Sequence, residues 1–283
     1  MNRMSSQKRS LAWRSRQAAL ADMKARLRTS WRWAEPGFER ALDYLLTPEA
    51  REQGEKIWQT RHKAVWKIQL PPELGGLCAV LKSSDKMRPL FYSWNHSKIA
   101  REAANYRALA SLGIPMARLL AAGDTRRNFI LQDSFLVTEF AAGCRDGRVF
   151  IRGGELAGET GLRRAFIEEN LSYLAKMHMV HCFHKGFTPY NLLWKPGSEG
   201  RQIDLRWIDV SSCCFLPLTE GMFTKYLVRD IANFFWYLKL DETEKLAALR
   251  HYLSSNTRTP LSDRELLHLV DAAIAERDER EQA

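Results

Sequence analysis

His184, Gly186, Asn191 and Asp209 have the spacing, and three of them the type, needed for phosphoryl chemistry. The first three lie in His-Lys-Gly-Phe-Thr-Pro-Tyr-Asn, residues 184 to 191. This is the frame in which a histidine is followed two residues later by a carboxylate and, five beyond that, by an asparagine. Such a loop holds a base near a hydroxyl, and its asparagine carbonyl reaches a magnesium ion bridging nucleotide phosphates. Gly186 stands where the carboxylate belongs. Downstream, the apolar run Leu205-Arg206-Trp207-Ile208 delivers Asp209 at the distance of a second metal ligand. Asn191 and Asp209 are therefore the candidate metal ligands; an ordinary acid at a strand end is the alternative account of Asp209. Val210 and Ser211 follow it, so a flipping phenylalanine next to the acid is not part of this site.

Upstream, Leu77-Cys78-Ala79-Val80-Leu81-Lys82 reads as a buried strand that ends in a lysine, and Glu102 lies in the helix-like stretch Arg101 to Leu109. Kinases pair a strand lysine with a helix glutamate to hold the α- and β-phosphates of ATP. Either residue alone is commonplace. Their order ahead of Asn191 and Asp209 makes Lys82 and Glu102 the nucleotide-binding candidates. No Gly-x-Gly-x-x-Gly occurs near Gly54 to His62, where a phosphate-covering loop would lie. Phosphate contacts then fall to other backbone amides or to Lys56, Arg61 or Lys63.

With REAANYRALASLGIPMARLLAAGD (Arg101 to Asp124), FLVTEFAAG (Phe135 to Gly143) and Arg229-Asp230-Ile231-Ala232, the pattern resembles the lipopolysaccharide kinase family over approximately residues 60 to 240. Members of that family phosphorylate Kdo or heptose sugars of the lipopolysaccharide core. The resemblance implies an α+β, bilobal protein-kinase-like fold, with a small β-rich N-lobe carrying one main helix and a larger helical C-lobe. It further implies ATP and magnesium as cofactors and a lipopolysaccharide core saccharide or other sugar as acceptor. It puts a hinge at Thr138-Glu139-Phe140-Ala141, where backbone groups at Glu139 and Ala141 would pair with adenine. It gives Asp230 the task of bracing the catalytic-loop backbone, although an acid at a helix N-terminus, favoured by the dipole, would also explain it.

The resemblance fails at Gly186. Loss of a general base costs roughly 10²- to 10⁴-fold in rate, about 3 to 5 kcal/mol of barrier. Between Cys182 and Gln202 Glu199 is the sole acid, and it belongs to a turn. His184 could serve as a base only by leaving a structural role, while Lys185 and Thr188 could touch a phosphate or the substrate; His184, Lys185 and Gly186 are thus the catalytic positions to inspect. Three functions stay open: a sugar kinase with slowed or differently supported chemistry, a pseudokinase binding ATP and magnesium as a scaffold or regulator in envelope assembly, and a nucleotide-free module that keeps only the fold. Retention of the metal-ligand candidates favours the first two.

At 283 residues and 45% hydrophobic content, the chain has room for two lobes. It contains no run of 18 apolar residues, so no membrane span is expected. The N-terminus lacks the apolar core of a secretory signal, which points to a cytoplasmic protein. Five cysteines without a Cys-x-x-Cys pair fit a reducing compartment better than a disulfide framework. His178, His181, Cys182 and His184 crowd together, but in no standard zinc spacing.

Residues 1–33 carry nine basic side chains against Asp22 alone, so most of the net charge of +10 sits in one segment. No nucleic-acid partner is expected from so local an excess. Trp13, Leu20 and Leu27 recur every seven residues there, with Met23 and Trp31 on the same face, as in a basic amphipathic helix. Two placements are open for it. It could pack on the N-lobe, or it could dock on an anionic membrane surface, each cation adding roughly 1 kcal/mol, which would make the protein peripheral on the inner membrane.

The expected organisation is a helical extension over 1–46, an N-lobe over 47–143 and a C-lobe over 144–283. Strands are expected at 63–70, 77–82, 117–122 and 129–140, and a helix over 97–111 stopped by Gly113 and Pro115. A helix over 162–181 should bury Phe166, Leu171, Leu174 and Met177. Paired strands follow at 191–194 and 205–208, then a helix opening at Arg229-Asp230 and a closing helix over 262–278.

Overall fold

The computed structural model describes Arg14 and residues 16–18, 30–85, 96–197, 202–216 and 219–282. Most of the basic helix expected over 1–33 lies outside the described residues, as does Glu199. The described chain forms two units, one of residues 14–108 with 117–142 and one of 109–116 with 143–282.

The first unit is built on an antiparallel sheet of Trp31–Ala34 (β1), Glu55–Thr60 (β2), Lys63–Gln69 (β3), Cys78–Asp85 (β4), Leu119–Arg127 (β5) and Ile130–Glu139 (β6), in the order β1-β5-β6-β4-β3-β2. Side chains alternate across β4. Ala79 and Leu81 are fully buried in an apolar cluster with Leu42, Leu45 and Ala50 of the helices Glu39–Leu45 (α1) and Pro48–Gln53 (α2). Lys82 consequently faces the other side of the sheet, toward the helix Lys98–Ser111 (α3). α2 starts where Thr47 accepts the Ala50 N–H at 3.2 Å, with Pro48 in the first turn.

Two stretches of this unit differ from expectation. Residues 31–34 are a strand and belong to the sheet unit, not to a helical extension. Trp31 pairs opposite Asp124 and is buried, and Trp33 lies 4.0 Å beneath the Arg107 guanidinium. The two-residue period of Trp-Arg-Trp-Ala sets both indoles on one face, and long-range partners on β5 and α3 outweigh the seven-residue spacing. Likewise Gly54 to His62 is not a loop preceding a hairpin: it supplies β2, and the β2–β3 turn falls at Arg61-His62.

The second unit carries the helices Thr160–Met179 (α4), Glu220–Leu238 (α5), Glu242–Ser255 (α6) and Asp263–Gln282 (α7). Short strands flank the loop of interest: Arg145–Asp146 (β7), Cys182–Phe183 (β8), Leu192–Pro196 (β9), Ile203–Trp207 (β10) and Cys214–Phe215 (β11), arranged as β10-β9-β7 and β11-β8. Phe166, Leu171, Leu174 and Met177 of α4 are completely buried, as their spacing requires. α5 begins ten residues before Asp230, at Glu220. Its buried face, Phe223, Leu227, Ile231, Phe234 and Leu238, keeps three- and four-residue spacing over the whole length. α6 is a helix beyond those expected, opened by a capping box of Asp241 and Glu244. Among the described residues no helix is long and apolar enough to cross a membrane.

Candidate active site

Lys82 and Glu102 meet inside the sheet unit. The Lys82 ammonium donates to both Glu102 carboxylate oxygens at 2.9 Å, and the Glu102 side chain is 1% exposed against 17% for Lys82. The carboxylate is thereby sealed beneath the sheet, while the ammonium keeps an outlet. A buried pair of this kind adds little to stability, but it fixes where the ammonium points. At the end of β6, the Glu139 N–H donates to the Arg118 carbonyl and the Phe140 N–H to the Cys78 carbonyl, each at 2.9 Å. These bonds hold the chain straight into half-buried Ala141.

In the helical unit the loop after β8 hangs from one side chain. Asp230, 1% exposed in the middle of α5, accepts the backbone N–H of His184 through Oδ2 and that of Lys185 through Oδ1, both at 2.7 Å. The bracing role is therefore met by geometry, and the helix-dipole account falls away because Asp230 is nowhere near a helix start. Its Oδ2 also lies 3.3 Å from His178 Nε2, whose ring bonds on the other side to the Tyr252 hydroxyl at 2.7 Å. A polar chain thus runs from α6 through α4 and α5 to the loop backbone, and it occupies both nitrogens of His178.

His184 is not open to a substrate. Its side chain is fully buried against Phe187 and Trp207, and neither ring nitrogen has a hydrogen-bond partner among the described residues. Burial pushes its imidazole below the usual histidine range, with only partial opposition from the charges of Asp230 and Asp209. A neutral, enclosed ring of this kind shapes the loop and receives no proton from a hydroxyl outside it.

Asn191 and Asp209 come together through the β9–β10 ladder. Trp207 pairs with Leu192, and one step further the Ile208 N–H donates to the Asn191 carbonyl at 2.9 Å, so Asp209 leaves the ladder beside the asparagine. Trp207 is completely buried and its indole N–H donates to Asn170 at 2.8 Å, which fixes the strand that carries the acid. Asp209 itself adopts the left-handed backbone (φ 50°, ψ 56°) that short polar side chains tolerate. The Asn191 amide Nδ2 donates to the Gly186 carbonyl at 3.3 Å, which leaves Oδ1 as the oxygen able to meet a cation. One amide oxygen and one carboxylate are the oxygen donors that suit magnesium with several waters or phosphates completing its shell.

Gly186 occupies an open position. A Cβ built there would meet only His184 Nδ1 at 3.9 Å and Ser212 Oγ at 4.0 Å, ordinary contact distances. The structure therefore does not demand glycine here. Lys185 next to it sits at φ 61° with its ammonium 4.9 Å from the Tyr226 ring.

Sequence reasoning missed the residues that support this loop from behind. Tyr252 lies on the unanticipated α6, Asn170 receives the Trp207 indole from inside α4, and Asn233 donates to the Phe187 carbonyl at 3.0 Å. Their signal was faint: single polar residues on otherwise apolar helix faces.

Residues 85–214 match the model of the Lipopolysaccharide kinase (Kdo/WaaP) family. The resemblance is to the lipopolysaccharide kinases. The matched segment holds Glu102, Gly186, Asn191 and Asp209 and leaves Lys82 and Asp230 outside. A comparison with curated proteins finds no match. Among solved structures, one described as WaaP in complex with acyl carrier protein superposes with a TM-score of 0.59 at 19% identity, covering 88% of this chain and 97% of that one. It shares the protein-kinase-like fold, with a β-sheet N-lobe and a helical C-lobe. The BubR1 kinase domain gives a TM-score of 0.47 at 11% identity over 80% of each chain.

Proposed function

We propose that this chain is an ATP-dependent kinase of the lipopolysaccharide core type, which transfers the γ-phosphate to a sugar hydroxyl and lacks the usual loop carboxylate at Gly186. The observation that carries this reading is the placement of Asn191 and Asp209 side by side on a loop braced by Asp230. The Lys82–Glu102 pair supports it independently. In this reading Lys82 neutralises nucleotide phosphates, held in aim by Glu102, while Asn191 and Asp209 hold magnesium and the backbone at Glu139 and Ala141 meets adenine. Bound nucleotide and metal supply the phosphoryl group and the charge neutralisation on which such transfer chiefly depends. The protein would work in the cytoplasm; within the basic segment Trp31 to Trp33 belong to β1 and Arg16 donates to Asn105 of α3 at 3.1 Å, which favours packing on the sheet unit over a membrane contact.

A second reading is favoured by Gly186 together with the burial of His184: a pseudokinase that binds ATP and magnesium with no base in its loop. Labelled phosphate transfer from ATP to a lipopolysaccharide core saccharide separates the two. The kinase reading expects slow, measurable transfer that falls roughly 10²-fold or more in Asp209→Ala, the scale for losing one electrostatic anchor. A wild type that binds ATP and magnesium yet transfers nothing would leave the pseudokinase.

A further inference from the structure

We infer that Ser211 is a positioning residue that aims the Asp209 carboxylate at the metal, through a side-chain hydroxyl two residues beyond the acid. Ser211 Oγ donates to Asp209 Oδ1 at 3.0 Å. This role rests on the reading of Asn191 and Asp209 as magnesium ligands, and it supplies the group that holds one of them in place.

Where the acid stands creates the need for such a group. Asp209 lies two residues past β10, exposed and in the left-handed backbone conformation, immediately ahead of the short 3₁₀ turn Val210–Ser212. A short acid in that place ordinarily folds its carboxylate back onto the amides of the turn that follows. Among the described residues the Asp209 side chain makes no such capping bond. The Ser211 hydroxyl takes hold of the carboxylate instead. A hydroxyl engages one of a carboxylate's roughly four lone-pair positions, so the group keeps its capacity to meet a cation. Without a tether, an exposed carboxylate turns among its rotamers, and a metal binding there has to order it first.

Ser211 is itself held by its neighbours. Val210 is completely buried, Ser211 is 7% exposed and Cys213 4%, and the Cys213 N–H closes the turn on the Val210 carbonyl at 3.1 Å. Val210 and Cys213 thus anchor the turn on both sides of the hydroxyl. Asn191 is treated in the same way, its Nδ2 tied to the Gly186 carbonyl at 3.3 Å. Each candidate ligand therefore carries an orienting hydrogen bond. Groups that bond a metal's ligands from behind account for roughly 10- to 100-fold in metal affinity.

The test is calorimetric titration of the full-length protein with ATP, with magnesium present and again after its chelation, in wild type, Ser211→Ala and Ser211→Thr. Ser211→Ala is expected to weaken ATP binding in magnesium by roughly 10-fold or more and to leave it unchanged once the metal is chelated, because Lys82 and Glu102 belong to the sheet unit. Ser211→Thr keeps the hydroxyl and should recover most of the loss. A merely structural serine would behave otherwise: its removal would weaken binding alike under both conditions, and that result would overturn the positioning role. Magnesium-dependent binding that Ser211→Ala leaves intact, or that Ser211→Thr loses as fully as Ser211→Ala, would overturn it too and leave the kinase reading standing. A wild type whose ATP binding ignores magnesium would overturn the metal reading and the role of Ser211 together.

Discussion

Gly186→Asp is expected to raise phosphate transfer to a core saccharide by roughly 10²- to 10⁴-fold, the range a positioned general base contributes. The space exists: the first atom of a side chain would sit at contact distance from His184 Nδ1 and Ser212 Oγ, with nothing closer. The loop backbone would not need to change, because Asn191 bonds the carbonyl of residue 186 and the Asp230 brace acts on the amides of 184 and 185. The new carboxylate would therefore enter a frame already set for it. The gain should appear in kcat, since a base acts on the reacting proton and not on ground-state binding. A folded variant with unchanged kcat would show that something other than the base limits the reaction.

Asp230→Ala should be the most damaging single truncation in the loop's support. It leaves one buried and one part-buried N–H group without their charged acceptor and His178 Nε2 without its partner. Hydrogen bonds to charged groups contribute about 1.5 to 3 kcal/mol each, so a loss of about 3 kcal/mol or more is expected, a large share of the roughly 5 to 15 kcal/mol that holds a domain together. The backbone adds to the effect: Lys185 is held at φ 61°, a conformation costing a residue of its type about 1 to 2 kcal/mol unless the surroundings impose it. Asp230→Asn keeps one acceptor oxygen and should fall between. Chemical denaturation of the three proteins checks the order, and an Asp230→Ala midpoint equal to wild type would refute the bracing role.

The parts of the fold legible in the sequence were those with local signals. α3 and α4 announce themselves by periodicity and by Gly113, whose φ of 72° is the left-handed turn that ends a helix. The Lys82–Glu102 pair was legible from order, a strand lysine and then a helix glutamate ahead of Asn191 and Asp209, since either residue alone is commonplace. What escaped depends on contacts distant in sequence. Trp31 reads equally well on a helix or a strand until β5 is present to pair with it. Arg229-Asp230, a charged pair ahead of an apolar run, looks like a helix entrance, yet this Asp is buried at mid-helix where the loop needs an acceptor. α6 was within reach: Asp241-Glu242-Thr243-Glu244 is a capping-box sequence. The burial of His184 depends on packing, and no spacing rule reports it.

In the kinase reading, the Lys82–Glu102 pair of the sheet unit serves phosphate and the Asp230-braced loop of the helical unit serves metal, while Gly186 offers no group to take the hydroxyl proton. Calorimetric titration of wild type with ATP tests this most directly, in the presence of magnesium and again after its chelation, with Asp209→Ala alongside. Saturable binding is expected that weakens when magnesium is removed and weakens similarly in the variant. No binding by a folded wild type, or binding indifferent to both magnesium and Asp209, would contradict it.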